Sequence, residues 1–207
     1  MDKKIITISR QCGSGGHTIG QDVAKRLGIP FYDKKIVESV AKRSGLSEEF
    51  IVEQGEYHSH SLLYTIATNI SSGYNAFHKE NMPLPDQIEI FQTELIKELA
   101  EKESCVIVGR GADYILKDRR DCLHVFIYGN IDDRKKRVIS EHGIAENEAE
   151  ALVSWRDKKR AQHYKYYTDR SWGMASNYNL CLDSSCLGVE SCVDFILRAV
   201  QEREVEK

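Results

Sequence analysis

The chain has 207 residues, and several things are scarce in it. There are only three prolines and two tryptophans, and 29 basic side chains nearly balance 32 acidic ones, for a formal net charge of −3. The near balance excludes a protein whose main task is to hold a nucleic acid backbone, and no nucleic-acid partner is expected. No apolar run approaches the length of about 20 residues that a membrane span needs. The apolar run at Ile5–Ile8 has about four residues, too short for a secretory h-region. The reading is a cytoplasmic chain with no membrane partner. The six cysteines form no CxxC pair, so neither a zinc site nor a disulfide framework is indicated, and reduced, mostly buried thiols are expected. His58 and His60 lack neighbouring acids or thiols that would make a metal site and read as surface residues. Low-complexity stretches and internal repeats are missing too.

What is present fits one globular domain over residues 1–207, with 41% hydrophobic residues to build a core. Short apolar runs rich in β-branched residues occur at Ile5–Ile8, Cys105–Val108, Leu123–Ile127 and Tyr178–Leu182, and Phe31-Tyr32 suits a short further strand. Between them lie helical patterns. Ile19, Val23, Ala24 and Leu27 share one face before Gly28 and Pro30 stop the helix, and further helices are expected at Asp132–His142 and about 146–167. The last helix carries Val189, Val193, Ile196, Leu197 and Val200 on one face, for packing on its own sheet or for a dimer; monomer and homodimer both fit. Such strands suit a parallel sheet buried on both faces, an α/β fold. Residues from about 46 to 102 read as mostly helical, broken near Asn81–Pro85, and form a candidate substrate-covering insertion.

Gly13-Ser14-Gly15-Gly16-His17-Thr18 lies between a buried strand and the first turn of a helix, where glycines let backbone N–H groups and the helix dipole face a polyphosphate. Against the frame GxxxxGK[ST] it spans Gln11 to Thr18, with Gln11 in place of the first Gly and His17 in place of Lys. Two other readings stay open on the loop alone. One is a simple packing turn. The other is a dinucleotide-binding turn, since Gly13-x-Gly15-x-x-Thr18 lacks only the third Gly and Asp33 follows about twenty residues on.

Five ordered segments go further. The opening ITISRQCGSGGHTIGQDVAKRLGIPFYDKKIV, then VIVGRG at Val106–Gly111, HVFIYG with IDDRKKR at His124–Arg137, WRDKKRAQHYKYYTDRSWG at Trp155–Gly173 and NYNLCLDSS at Asn177–Ser185 resemble the cytidylate kinase-like family. This is a branch of the P-loop nucleoside monophosphate kinases in which another basic or polar residue commonly replaces the loop Lys. The resemblance implies a three-layer α/β/α fold with a five-stranded parallel sheet, a helical acceptor-binding insertion at about 46–102 and an arginine-bearing lid at about 134–172. It also implies transfer of a phosphoryl group from ATP, with Mg2+, to a small acceptor such as CMP or dCMP.

On that resemblance Gly13, Ser14, Gly15, Gly16, His17, Thr18 and Arg134 hold the donor, and Thr18 holds the metal. Arg110, Arg160, His17 and Arg156 are the catalytic candidates, and Asp33, Arg110, Asp157 and Arg160 hold the acceptor. Asp157-x-x-Arg160 carries the family spacing for a ribose contact and a phosphate-binding arginine. Gly111 stands where bacterial members have an Asp that helps recognise cytosine. Asp33 has a second reading as an N-cap for the segment at Lys34–Lys42, and Asp113 is expected to orient a magnesium-bound water. The aromatic residues Tyr164, Tyr166, Tyr167 and Trp172 either stack a base or pack a helix. An imidazole, unlike a lysine ammonium, carries no permanent charge at neutral pH, so His17 departs from the usual loop chemistry. Loss of that lysine keeps a non-catalytic nucleotide sensor in view, with an NAD-binding oxidoreductase as the third reading.

Overall fold

The computed structural model describes residues 3–49, 51 and 83–205; much of the expected insertion, including His58, His60 and the break at residues 81–82, lies outside the described residues. The chain runs β1 (Ile5–Arg10), α1 (Gly16–Leu27), β2 (Phe31–Tyr32), α2 (Lys34–Ser44), α3 (Leu84–Lys102), β3 (Cys105–Val108), α4 (Ala112–Ile115), β4 (Cys122–Tyr128), α5 (Ile131–His142), α6 (Glu146–Thr168), β5 (Leu180–Asp183) and α7 (Ser184–Val205). The five strands form one parallel sheet in the order β2-β3-β1-β4-β5.

Alternation along β1 assigns its two faces. Ile6 and Ile8, with Val106, Val108, Val125 and Ile127, meet Ile19 and Val23 of α1 and Val193 and Ile196 of α7. Ile5, Cys105 and Ile107 turn the other way, onto Ile36 and Val40 of α2 and Ile88, Leu95 and Ile96 of α3. Both faces are covered, which is why the strands read as continuous apolar runs. A third cluster, Cys12 with Val138 of α5 and Val153 of α6, packs the glycine-rich loop against these two helices. The result is a three-layer α/β/α architecture around a five-stranded parallel sheet.

Local chemistry fixes the ends of the elements. α1 stops at Gly28, whose left-handed conformation (φ 65°) closes the last turn. α5 starts at Asn130, whose side chain accepts the Asp133 N–H, and Asp132 and Asp133 suit the positive end of the helix. α7 is interrupted at Gly188 (φ 78°, ψ 161°). Two expectations shift. β1 extends to Arg10 because Ser9 and Arg10 still pair with Phe126 and Ile127 of β4. β5 begins at Leu180, two residues later than expected, because Ala175–Asn177 forms a short 3-10 turn before it. Asp33 occupies the N-cap position of α2, as one of its two readings has it, but its side chain makes no cap hydrogen bond. Cys12, Cys105, Cys122 and Cys192 are buried, Cys181 is half-buried and Cys186 exposed, all as free thiols. No described helix is long and apolar enough to cross a membrane.

Candidate active site

The carboxyl ends of β1, β3 and β4 open on one edge of the sheet, where ligands of open α/β folds bind. The loop from Gln11 to Gly15 follows β1 there. Gly13 takes φ 73°, and a Cβ on it would lie 2.4 Å from the Arg134 carbonyl oxygen. At Gly16 a Cβ would lie 2.5 Å from Arg10 Cβ, so the first turn of α1 sits directly on the end of β1. Ser14 is fully buried and turned inward: its N–H and its Oγ both donate to the Gln11 carbonyl, at 3.2 and 2.9 Å. The Gln11 side chain, in the place of a glycine, accepts the Gly129 N–H at 3.2 Å and ties the loop to the end of β4.

A second layer grips the loop from outside. Arg134 Nε donates to the Cys12 carbonyl at 3.0 Å, and its Nη2 meets Asp157 Oδ2 at 2.5 Å. Asp157 Oδ1 accepts the Cys12 N–H at 2.7 Å. Arg137 donates to the Gly13 carbonyl at 2.5 Å, and Arg160 to the Arg10 carbonyl at 3.2 Å. Arg134 and Asp157, read from sequence as donor and acceptor ligands, are thus engaged with the loop backbone and with each other. Their charges neutralise within a buried pair while fixing the carbonyls and N–H groups of the loop.

In front of the loop lies a cleft of about 320 Å³, walled by Gly13, Gly15, Gly16, His17 and Thr18 and bordered by Arg10, Asp33, Arg156 and Arg160. Ser14 is not on this wall. His17 Nε2 stands 3.4 Å from Asp33 Oδ2, and its ring meets Phe31 edge-on with centroids 5.2 Å apart. Asp33 therefore faces the glycine-rich loop. Arg156 Nη1 lies 3.9 Å from Cys12 Sγ, and its buried Nε has no hydrogen-bond partner among the described residues.

The second feature is Arg110, just past β3. It is 7% exposed and adopts φ 58°, and among the described residues its buried Nε and Nη1 have no hydrogen-bond partner. A left-handed, non-glycine backbone and a desolvated guanidinium both cost free energy, the second about 1–3 kcal/mol for each unmet group. A bound anion would supply the missing acceptors. Arg110 lines a small cavity of about 40 Å³ together with Ser9, Gly109, Arg160 and Trp172. A Cβ on Gly109 would sit 2.2 Å from Arg10 Nη1, so this glycine makes room for a further guanidinium beside the same cavity. Arg10 and Arg160 line both this cavity and the cleft before the loop and so join the two.

A third cavity of about 200 Å³ runs on between α3, α4 and α6, with Glu89, Thr93, Gly111, His163, Tyr164 and Tyr167 on its walls. Glu89 is a residue that the sequence reading missed. Its Oε2 accepts from Gln92 Nε2 at 3.1 Å and lies 3.7 Å from His163 Nε2. Burial pushes its carboxyl up to about 7, with Arg110 opposing and Asp86 adding to the rise. The signal in the sequence was Gln92, a polar residue on the apolar face of Ile88, Leu95 and Ile96.

Asp113 corrects an expectation. Its oxygens accept from Ser9 Oγ at 2.9 Å and Tyr164 OH at 2.7 Å, and burial raises its pKa. It clamps β1, α4 and α6 together in the interior, with both oxygens engaged, and does not orient a metal-bound water. The aromatic residues divide: Tyr164 belongs to that clamp, and Trp172 packs edge-on against Phe126 at 5.4 Å. Tyr167, whose OH donates to Asp86 at 3.0 Å, reaches the third cavity, while Tyr166 is exposed. Among the described residues no group of three His, Cys, Asp or Glu side chains is placed to hold a metal. The Thr18 hydroxyl stands on the cleft wall in the first turn of α1.

A sequence profile of the cytidylate kinase-like family matches residues 5–186. The chain belongs to the cytidylate kinase-like family. The match takes in the loop, Arg110, α5 and α6, and it favours a nucleotide kinase over a dinucleotide-binding oxidoreductase. Cytidylate kinase of Archaeoglobus fulgidus is 24% identical over 206 residues, covering 97% of each chain. That of Pyrococcus horikoshii is 24% identical over 200 residues, covering 96% of this chain and 89% of its own. Among solved structures, an uncharacterized protein from Eubacterium ventriosum superposes with a TM-score of 0.72 and 28% identity, over 96% of this chain and 99% of its own. A shikimate kinase from Bacteroides thetaiotaomicron, 18% identical with a TM-score of 0.55 over 96% and 98% of the two chains, shares the fold.

Proposed function

We propose that this cytidylate kinase-like chain transfers the γ-phosphoryl group of ATP to a nucleoside monophosphate, with CMP and dCMP the first candidates. The observation that carries the reading is Arg110: a buried guanidinium with unmet donors at the carboxyl end of β3, joined by Arg160 to the cleft before the glycine-rich loop. Two anion sites lie side by side, which is what transfer between two phosphorylated molecules requires.

In this account the backbone of Gly13, Gly15 and Gly16 and the N-terminus of α1 receive the donor phosphates. Ser14 acts from within, holding the loop in shape. Arg156 and His17 face the donor from the sides of the cleft, and Asp33 orients His17. Thr18 is the side chain that would hold a magnesium ion brought with ATP, which would offset negative charge on the donor phosphates. Arg110 fixes the acceptor phosphate, and Arg160, between the two sites, meets charge that develops on the transferred group. Arg134 and Asp157 keep the loop in the geometry that these contacts need.

The test is release of ADP from ATP with magnesium over CMP, dCMP, UMP, AMP and GMP. Acceptor-dependent turnover supports the reading. A second reading rests on the His17 and Asp33 pair: without a permanently charged residue in the loop, the protein binds ATP as a sensor. It predicts ATP affinity with no ADP release over the whole panel, and unchanged ATP affinity in Arg110→Ala.

A further inference from the structure

We propose that Glu89 is a specificity-determining residue, its free carboxyl oxygen accepting a hydrogen bond from an exocyclic amino group of the acceptor's base, so that a base with an amino group is preferred to one with a carbonyl at the same ring position. The inference rests on the nucleotide kinase reading and assigns its base-recognising group.

Three observations place Glu89 there. The small cavity at Arg110 and the larger one between α3, α4 and α6 share Gly111, His163 and Tyr164 on their walls, so an acceptor with its phosphate at Arg110 extends into the space that Glu89 lines. Gly111 contributes no side chain to the shared wall, and Glu89 reaches the same space from α3. Gln92 Nε2 donates to Oε2, and His163 Nε2 stands 3.7 Å from the same oxygen, so among the described residues Oε1 is left for the cavity. Gln92 is fully buried, so its amide is fixed and anchors the carboxyl from behind.

An ionised carboxylate only accepts hydrogen bonds, so it discriminates against a carbonyl oxygen by repulsion as well as by the lost bond. A carboxamide of the same shape presents either an oxygen or an NH2 group, and it loses that discrimination. The groups that face Glu89 are Arg110 from the turn after β3, His163 from α6, and Asp86 and Gln92 from α3. The preference is therefore read at pH 8.5, where the carboxyl is ionised.

The experiment measures kcat and KM for CMP beside UMP, and for AMP beside IMP, in wild type, Glu89→Gln and Glu89→Leu, with binding of the same nucleotides by calorimetry. Expected is a wild-type preference for the amino member of the pair of about tenfold or more, narrowed at least about tenfold in Glu89→Gln, chiefly through a lower KM for the carbonyl member. Glu89→Leu raises the KM for the amino member by a similar factor with kcat changed far less. If wild type binds and phosphorylates none of the four nucleotides, the nucleotide kinase reading falls and the inference with it. If nucleotides are phosphorylated but wild type has no amino preference, or Glu89→Gln keeps it, the inference alone is overturned.

Discussion

Arg110 concentrates the cost and the use of the site in one residue. Its positive φ and its unmet Nε and Nη1 are features that packing alone does not favour. Arg110→Ala removes a buried charge with no carboxylate hydrogen-bonded to it, so its thermal midpoint should stay within a few degrees of wild type while kcat/KM for the acceptor falls about 10²–10³-fold. Calorimetric ATP binding beside steady-state kinetics checks the split: ATP affinity should hardly change. Arg134→Ala should do the reverse. It takes from the half-buried Asp157 its close guanidinium partner while Arg160 stays 3.9 Å from the other oxygen, and loss of such a charge-assisted hydrogen bond costs about 1.5–3 kcal/mol. Urea unfolding should show that loss in Arg134→Ala and little change in Arg156→Ala, which borders the cleft and has no carboxylate partner in the loop.

At the scale of elements, α5 and α6 act as a scaffold for the loop. Arg134, Arg137, Asp157 and Arg160 all reach the backbone of residues 10–13. The spacing of Asp157 and Arg160 on one helix face was legible in the sequence, because the helical period is local. Their partners were not, because the loop that they hold is more than a hundred residues away in the chain. The same contrast explains Asp113 and Glu89. An acid beside a strand reads as available, and only the fold shows that Ser9 and Tyr164 occupy the first while the second lines a cavity. The strands were legible to within about two residues at their ends, since burial on both faces leaves an unbroken apolar run. Gly13→Ala tests the element-scale contact: the added Cβ meets a carbonyl that Arg134 cannot move without breaking its own bonds. A drop in ATP affinity of at least about tenfold is expected in titrations of the folded variant, from distortion of the phosphate-binding backbone.

For the whole molecule, two buried groups give stability a pH profile with opposite slopes. His124, on β4 beside Thr7 of β1, whose Oγ1 is 2.8 Å from its Nδ1, is held down to about 4 by burial, with Arg203 adding to the effect. Its unfolded value is near 6.5, so the unfolded chain takes up the proton first. Its contribution is complete above pH 6.5 and is lost as pH falls from there to 4, on the order of 2–3 kcal/mol. Glu89 works the other way. Raised to about 7 from an ordinary value near 4.3, it contributes stability below pH 4.3 that is lost as pH rises through 7. Urea unfolding of Glu89→Gln at several pH values separates them: the variant should show the acid loss alone, and should match or exceed wild type above pH 7.

The central claim is that Arg110 and the glycine-rich loop form two halves of one phosphoryl-transfer site. The most direct measurement is ADP release from ATP with magnesium, with and without each nucleoside monophosphate, in wild type and Arg110→Ala. The account predicts turnover in wild type that depends on the acceptor and is lost by about 10²–10³-fold in the variant, with ATP still bound. Acceptor-independent ADP release, or equal turnover in the two proteins, would contradict it.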